Sequence, residues 1–334
     1  MGRPKVQKPN KSLELTFFAP FVRFAHCTLR KTQLSSTVRL KTTFRFEQHT
    51  LFRNHVMNNK LWNYLRDGKK GVAGWLQRVD AEIIGSILEF QHKQDISGSC
   101  VEIGVHHGKS FIPLCMALRS DELALCIDIF DDQSKNLDNS GRGDFNSLQE
   151  NLAKFNLDSS HIRIFKGSSE DVNPEYILEQ VGSVRFFSVD GGHWKSIVQN
   201  DLRLAEQSLS RDGVIALDDY CRTEWPDVTT GYTLWQEETE SDIVPFAVGS
   251  NKLFLCRRGS TAAYRDALKM PFLSHYFSKT YQSPENAEVD SYRVELVQQD
   301  ETRAKKALVL ILKIFRPDIF IALEDMFRRS STRG

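Results

Sequence analysis

The chain has 334 residues, which is enough for one large domain or two smaller ones. Hydrophobic residues make up 40% of it and charged residues 26%, a composition that excludes a fibrous repeat and a wholly disordered chain. The net charge of +1 is unevenly distributed, because residues 1–56 contain 11 Lys and Arg but only two acidic residues.

Residues 1–56 are predicted to be a basic, weakly structured extension. An Arg-rich, acid-poor leader is typical of a mitochondrial targeting segment, and a basic segment can bind nucleic acid or an anionic membrane. The segment has no signal-peptide core and no alternation of Arg and aromatic residues, so a nucleic-acid partner is not favoured. An equally simple interpretation is that the native protein starts at Met57.

The cysteines and the apolar segments indicate in which cellular compartment the protein is expected. Six cysteines are scattered without CxxC spacing, which predicts reduced thiols and a cytoplasmic protein. The longest apolar stretch near the C-terminus covers residues 307–315, includes Lys313 and is far shorter than the roughly 20 residues that cross a bilayer. No membrane span is therefore predicted.

Short β-rich runs alternate with helix-like segments from residue 99 onward. This pattern predicts an α/β fold with a doubly wound, mostly parallel, seven-stranded sheet of the Rossmann-like kind. Helices are predicted at residues 79–90 and 194–209, where apolar residues recur at helical spacing. The strands are predicted at residues 100–103, 123–127, 162–166, 184–189, 214–217, 244–248 and 252–256.

These elements divide the chain into four predicted parts. The basic extension, residues 1–56, is followed by a helical lead-in at 57–98 and a catalytic domain at 99–258. A C-terminal helical extension is predicted for residues 259–334, with an amphipathic helix at 304–315.

The loop after the first predicted strand reads Gly104-Val105-His106-His107-Gly108-Lys109-Ser110. A dinucleotide fingerprint needs GxGxxG, and the second glycine of that pattern is missing here. A P-loop needs four residues between its glycines, and this loop has only three. The E-x-G-x-x-x-G loop of S-adenosylmethionine enzymes is matched throughout, with Glu102, Gly104 and Gly108. A plain strand-to-helix turn is the alternative.

Ligands of open α/β sheets bind beyond the carboxyl ends of the strands, so the residues that follow the next two strands are candidate cofactor contacts. Asp128 ends the second strand about 20 residues after the glycine loop, where a carboxylate can accept both ribose hydroxyls of an adenosyl group. Ser168 and Ser169 follow the third strand and are predicted to border the adenine ring.

The fourth and fifth predicted strands end in Asp190-Gly191-Gly192-His193 and Asp218-Asp219-Tyr220. In the strand order 3-2-1-4-5 these two strands are neighbours, so three carboxylates and an imidazole should converge. Close carboxylates repel unless a cation or a proton is shared, and Mg²⁺ prefers oxygen ligands. We therefore expect Asp190, Asp218 and Asp219 to hold a metal, with His193 as general base. Loop hydrogen bonding and helix capping are the structural alternatives.

With these residues identified, the stretch from Gly74 to Arg258 resembles class I S-adenosylmethionine-dependent methyltransferases. The resemblance is closest to the branch that includes macrocin-type sugar O-methyltransferases and cephalosporin-hydroxylase-like proteins. Its motifs are VEIGVHHGKS (101–110), CIDIFDDQ (126–133), SVDGGH (188–193), GVIALDDY (213–220) and VPFAVGSNKLFLC (244–256).

The resemblance implies residue roles. Asp190 would serve in catalysis, in cofactor binding and as a metal ligand with Asp218 and Asp219, and His193 would be the base. Trp75 and Trp225 could wall the substrate pocket, with burial in the core as the alternative. The implied cofactor contacts are Glu102, Gly104, Gly108, Ser110, Asp128, Ser168, Ser169 and Asp190.

The sequence therefore predicts an S-adenosylmethionine-dependent methyltransferase that acts on a hydroxyl of a sugar, a glycan or another polar metabolite, with Mg²⁺ as a second cofactor. Two alternatives stay open: a non-catalytic cofactor-binding or scaffold protein, and a hydroxylase-like enzyme that uses the same carboxylates. A homo-oligomer is compatible with the sequence.

Overall fold

The computed structural model describes residues 59–238 and 241–293. The basic extension 1–56 and the predicted helix 304–315 lie outside these residues. Short 3₁₀ segments cover Gly68–Gly71, Gln133–Lys135, Ser159–His161, Ser169–Asp171 and Arg258–Ser260. The helices are α1 (residues 59–66), α2 (Arg78–Lys93), α3 (Phe111–Met116), α4 (Phe145–Lys154), α5 (Pro174–Val181), α6 (Lys195–Ser208), α7 (Pro226–Glu238) and α8 (Thr261–Ala267).

A nine-stranded sheet forms the centre of the described part, with the order β3-β2-β1-β4-β5-β7-β6-β9-β8. The pairs from β3 to β5 are parallel, and β7 runs antiparallel to both β5 and β6. The strands are β1 (Ser99–Ile103), β2 (Ala124–Asp128), β3 (Ile162–Lys166), β4 (Val184–Val189), β5 (Leu209–Leu217), β6 (Ile243–Val248), β7 (Leu253–Arg257), β8 (Phe277–Gln282) and β9 (Glu288–Tyr292).

The central strands are buried on both faces because helices cover both sides of the sheet. In β1, Cys100 belongs to one hydrophobic cluster and its neighbour Val101 to the other, as expected when successive side chains point to opposite faces. The first cluster includes residues of α1, α2, α3, α4 and α8, and the second includes residues of α5, α6 and α7. The fold is therefore a doubly wound α/β sheet, as the sequence predicts.

All seven predicted strands are present, and the predicted order 3-2-1-4-5 is confirmed. The sheet differs from the prediction in having two further strands. β8 and β9 form an antiparallel hairpin, and β9 pairs with β6 in parallel. They lie in the segment 259–334, for which the sequence predicts helices, because β8 is almost wholly exposed and lacks the apolar alternation that indicates a strand.

The lead-in to the sheet is helical over α1 and α2. Ile83, Ile84, Ile87 and Leu88 of α2 are buried in the first cluster, which anchors this helix to the sheet. Within residues 59–238 and 241–293, no helix combines the length and the apolar character that a membrane crossing requires.

Candidate active site

A cavity of about 340 Å³ opens at the carboxyl ends of β1 to β5. This volume lies within the range of roughly 300 to 1,000 Å³ that is usual for small-molecule sites. The topology brings the loops after all five strands to this edge, as the strand order predicts. The predicted site residues that line it are Gly104, Ser110, Asp128, Ser168, Ser169, Asp190, His193, Asp218 and Asp219.

Gly104 lies where the ends of β1 and β4 come together. The amide of Asp190 donates to the Ile103 carbonyl at 3.0 Å, which holds the two strand ends side by side. Gly104 has φ +80°, and a Cβ at this position would lie 1.7 Å from the Asp190 carbonyl oxygen. Only glycine therefore lets the chain turn into the loop this close to Asp190.

The carboxylate of Asp128 closes the same loop from the β2 side. It accepts the His106 amide at 2.7 Å on Oδ2 and the Phe130 amide at 2.5 Å on Oδ1. Burial raises the pKa of Asp128 above its ordinary value despite these hydrogen bonds. Asp128 thus orders the glycine loop while it lines the cavity, a structural task that the sequence did not predict.

Two of the predicted cofactor contacts do not reach the cavity. Glu102 is completely buried beside the side chains of Ser110 and Ser188. Burial raises its pKa to about 7. Gly108 has φ +88°, which favours glycine, and a Cβ there would lie 2.7 Å from Leu148 Cδ1, so this residue packs against α4.

The acidic residues after β4 and β5 converge as predicted. Asp190, Asp218 and Asp219 each offer an oxygen within 4.8 Å of the others. Burial and the neighbouring charge of Asp218 raise the pKa of Asp190 well above its ordinary value. Burial acts in the same direction on Asp218, but the adjacent Lys252 lowers the pKa of Asp218 overall.

His193 joins this cluster through both nitrogens of its ring. Nδ1 lies 2.8 Å from Asp138 Oδ2, and Nε2 lies 2.8 Å from Asp219 Oδ2. The backbone amide of His193 donates to the same Asp138 oxygen at 2.8 Å. A general base needs a free ring nitrogen, so this arrangement differs from the role that the sequence predicts for His193.

The protonation of His193 should make stability depend on pH. Burial alone would lower its pKa, but the hydrogen bonds to Asp138 and Asp219 outweigh burial and raise it from 6.5 to about 9. The pKa of His193 is higher in the folded protein than in the unfolded chain. Protonated His193 therefore contributes fully to folding stability below about pH 6.5, and this contribution is lost as the pH rises through about 9.

We expect the difference in unfolding free energy between the wild type and His193→Asn to fall by about 2 kcal/mol between pH 6 and pH 9.5. Urea unfolding at a series of pH values measures this difference. The same substitution at His92, which is exposed, is the control. A difference for His193 that stays constant with pH would contradict the bonded arrangement.

Lys252 and Asn251 complete the cluster, and neither was predicted as a site residue. Lys252 is 1% exposed, and its Nζ lies 2.7 Å from Asp218 Oδ2 and 3.5 Å from Asp190 Oδ2. The Asn251 amide nitrogen donates to Asp218 Oδ1 at 2.7 Å and to Asp219 Oδ1 at 2.9 Å. A metal ion at these carboxylates would have to displace the lysine ammonium, so the cluster as folded does not fit the predicted Mg²⁺.

Aromatic and apolar side chains form part of the cavity wall. Trp225 stacks on His193 with ring centroids 4.1 Å apart and an angle of 12° between the planes. Trp75 is 69% exposed and lies 5.5 Å from the His106 ring, and Leu137 is 50% exposed. Both tryptophans therefore line the cavity, and Trp225 also packs against the second hydrophobic cluster.

Residues 101–220, which contain the glycine loop and all three acidic strand ends, match a family described as a methyltransferase domain. This part of the chain is therefore similar to methyltransferase domains. No curated protein sequence matches the chain. The match begins in β1 and ends at Tyr220, directly after the Asp218-Asp219 pair.

Solved structures of methyltransferases are similar to the chain at low identity. The O-methyltransferase NovP is 16% identical, with 53% of this chain and 79% of NovP covered and a TM-score of 0.44. An O-methyltransferase from Klebsiella pneumoniae, described as putative, is 17% identical, with 60% and 88% covered and a TM-score of 0.41. The calicheamicin methyltransferase CalS11 is 12% identical, with 67% and 99% covered and a TM-score of 0.41. The similarity to methyltransferase domains rests on the family match over residues 101–220 and not on these structures.

Proposed function

We propose that the protein transfers the methyl group of S-adenosylmethionine to a hydroxyl oxygen of a small polar acceptor, such as a sugar, a glycan or a related metabolite. One observation carries the proposal: a single cavity is lined by Gly104, Asp128 and Asp190. The glycine turn at Gly104 and the carboxylate of Asp128 are suited to bind an adenosyl group. The carboxylate of Asp190 can accept a proton from a hydroxyl group.

The residues of the adenosyl side would bind and orient the cofactor. Asp128 retains lone pairs beside those used by the two amides and can accept ribose hydroxyls. Ser168 and Ser169 line the cavity beyond β3 and would border the adenine ring. S-adenosylmethionine supplies an electrophilic sulfonium methyl when it is bound. Holding the acceptor oxygen in line with that methyl at near-attack distance is the main task of the protein.

The residues of the acidic side would orient the acceptor and receive its proton. Asp190 lines the cavity with a side chain that is 21% exposed, and its raised pKa makes the ionised form of this carboxyl group a stronger base than an ordinary carboxylate. We assign the role of proton acceptor to the Asp190 carboxylate. His193, bonded on both sides, would hold Asp219 in place and present the Trp225 stack to the acceptor.

Substitution of Asp128 is expected to weaken cofactor binding about 30-fold, because both the loop amides and the ribose hydroxyls would lose a charged acceptor. Asp128→Asn should be nearly as weak as Asp128→Ala, since an asparagine NH₂ would face one of the two backbone donors. Calorimetric titration with S-adenosylmethionine measures the effect. Asp132→Asn, an exposed acid of the same loop, is the control. Equal affinities for the Asp128 variants and the control would contradict the assignment.

The acceptor class can be tested with S-adenosylmethionine labelled in the methyl group. A panel of free sugars, nucleotide sugars, phenols, carboxylic acids, amines and basic peptides separates oxygen acceptors from nitrogen acceptors. We expect label transfer to be confined to hydroxyl-bearing members of the panel. Transfer to amines or peptides alone would contradict O-methylation, and cofactor binding without any transfer would favour the scaffold alternative.

The proposal extends to the compartment. The described cysteines Cys100, Cys115, Cys126, Cys221 and Cys256 are all free, and only Cys221 is exposed. Burial raises the pKa of the Cys100 thiol to about 11, which keeps it protonated and unreactive. These reduced thiols support the cytoplasmic location that we propose from the sequence.

A further inference from the structure

Lys252 is a lysine in a position where lysines are rare. It immediately precedes β7, a buried strand between β5 and β6, and only 1% of its surface is exposed. A lysine is almost never this deeply buried unless carboxylates pair with it. Here Nζ lies 2.7 Å from Asp218 Oδ2 and 3.5 Å from Asp190 Oδ2.

The remaining contacts of the cluster also come from protein groups. Asn251 donates its side-chain amide to Asp218 Oδ1 at 2.7 Å and to Asp219 Oδ1 at 2.9 Å. The second oxygen of Asp219 lies 2.8 Å from His193 Nε2. Each carboxylate oxygen of Asp218 and Asp219 thus lies close to a nitrogen atom of this chain. Asp190 lies near the same Lys252 ammonium as Asp218.

Groups of the protein also balance the charges of the cluster. Burial opposes the charged form of Lys252, but Asp218 and Asp190 outweigh burial and raise the pKa of Lys252 above its ordinary value, so the ammonium persists. A divalent ion placed among the three carboxylates would meet this ammonium at close range in a buried site, where repulsion is weakly screened.

We propose that the ammonium of Lys252 takes the place of a divalent metal ion among Asp190, Asp218 and Asp219, and that the domain works without a metal. Lys252 is in this view a positioning residue. Its ammonium holds the Asp190 and Asp218 side chains together and leaves the exposed part of Asp190 to the acceptor.

Removal of the lysine should convert the cluster into a metal site. Lys252→Gln would leave three carboxylates without a fixed cation, and such a set of oxygen ligands binds hard divalent ions. Lys269→Gln removes the same charge from an exposed lysine paired with Asp266 and serves as the matched control. The double variant Lys252→Gln/Asp218→Asn tests whether a gained site uses the cluster.

Mn²⁺ binding measured by the loss of the free-ion electron paramagnetic resonance signal decides between the two arrangements. We expect the wild type and Lys269→Gln to bind Mn²⁺ no tighter than about 1 mM, and Lys252→Gln to bind one ion at least about 10-fold more tightly. The gain should disappear in the double variant. One Mn²⁺ bound by the wild type at tens of micromolar, and lost in Asp218→Asn, would overturn the proposal.

The wild-type titration alone decides the question if Lys252→Gln fails to fold. Terbium luminescence offers a second readout, since Trp225 stacks on His193, which contacts Asp219, and could sensitise an ion held by that carboxylate. Neither measurement contains cofactor or acceptor, so a failed transfer assay would not affect this proposal. For an active enzyme, turnover should persist in excess chelator, and loss of turnover that Mg²⁺ restores would contradict it.

Discussion

Gly104→Ala is expected to lose detectable binding of S-adenosylmethionine and to be less stable by about 4 kcal/mol or more. The added Cβ would lie 1.7 Å from the Asp190 carbonyl oxygen and 2.4 Å from its carbonyl carbon. Backbone atoms cannot move aside as a flexible side chain can. The ends of β1 and β4 would therefore separate, and the cavity wall between Gly104 and Asp190 would be disrupted.

The control for this prediction is Gly182→Ala. Gly182 follows α5 with φ +72°, close to the φ of +80° at Gly104, but a Cβ there would meet nothing within 4 Å. Its ψ of −158° places it in a backbone region almost restricted to glycine, so alanine there would cost about 1 to 3 kcal/mol of strain but would not clash with another strand. Urea unfolding and calorimetric titration of both variants separate the two effects. Similar stability losses and cofactor affinities in the two variants would show that the close approach is unimportant.

Asp190→Asn is expected to lower kcat by at least about 100-fold while the affinity for S-adenosylmethionine changes by no more than about threefold. The amide has nearly the shape of the carboxyl and keeps an oxygen for the Lys252 ammonium, which lies 3.5 Å from Asp190 Oδ2. It cannot receive a proton. The expected loss is therefore in turnover and not in folding or cofactor binding.

Steady-state kinetics with the acceptor found in the labelled-methyl panel, together with calorimetry, measures these two quantities. Asp132→Asn again provides an exposed aspartate as the control. If Asp190→Asn retained wild-type kcat, another group would have to accept the proton of the acceptor hydroxyl. The role proposed for the Asp190 carboxylate would then be wrong.

The sheet was predictable because its central strands are short apolar runs that helices cover on both faces. β3 and β4 begin and end at the predicted residues, and the predicted α6 differs by one residue at each end. The order 3-2-1-4-5 is confirmed as well. The hairpin of β8 and β9 was not predicted, since pairing with β6, and not an apolar pattern in β8, makes it part of the sheet.

The site was predictable only where its residues follow strands directly. Asp138 lies in the long connection from β2 to α4 and bonds to His193, 55 residues away in the sequence. No spacing rule connects two such positions. The contact nevertheless changes the chemistry, because it occupies the ring nitrogen that a general base needs.

The sequence contains a feature from which Lys252 could have been predicted as a site residue. A lysine followed by Leu253-Phe254-Leu255-Cys256 stands at the start of a strand that the apolar pattern predicts to be buried. Buried lysines need carboxylates, and the sequence had already placed three of them at the same edge of the sheet. The sequence does not show which strand lies beside β5, so this pairing required the structure.

The most direct test of the account is a calorimetric titration of the wild-type protein with S-adenosylmethionine, without added metal. We expect one bound cofactor per chain in the micromolar range or tighter, displaced by S-adenosylhomocysteine. If wild-type protein with a cooperative unfolding transition bound no cofactor, the claim that Gly104 and Asp128 line a cofactor site would be contradicted.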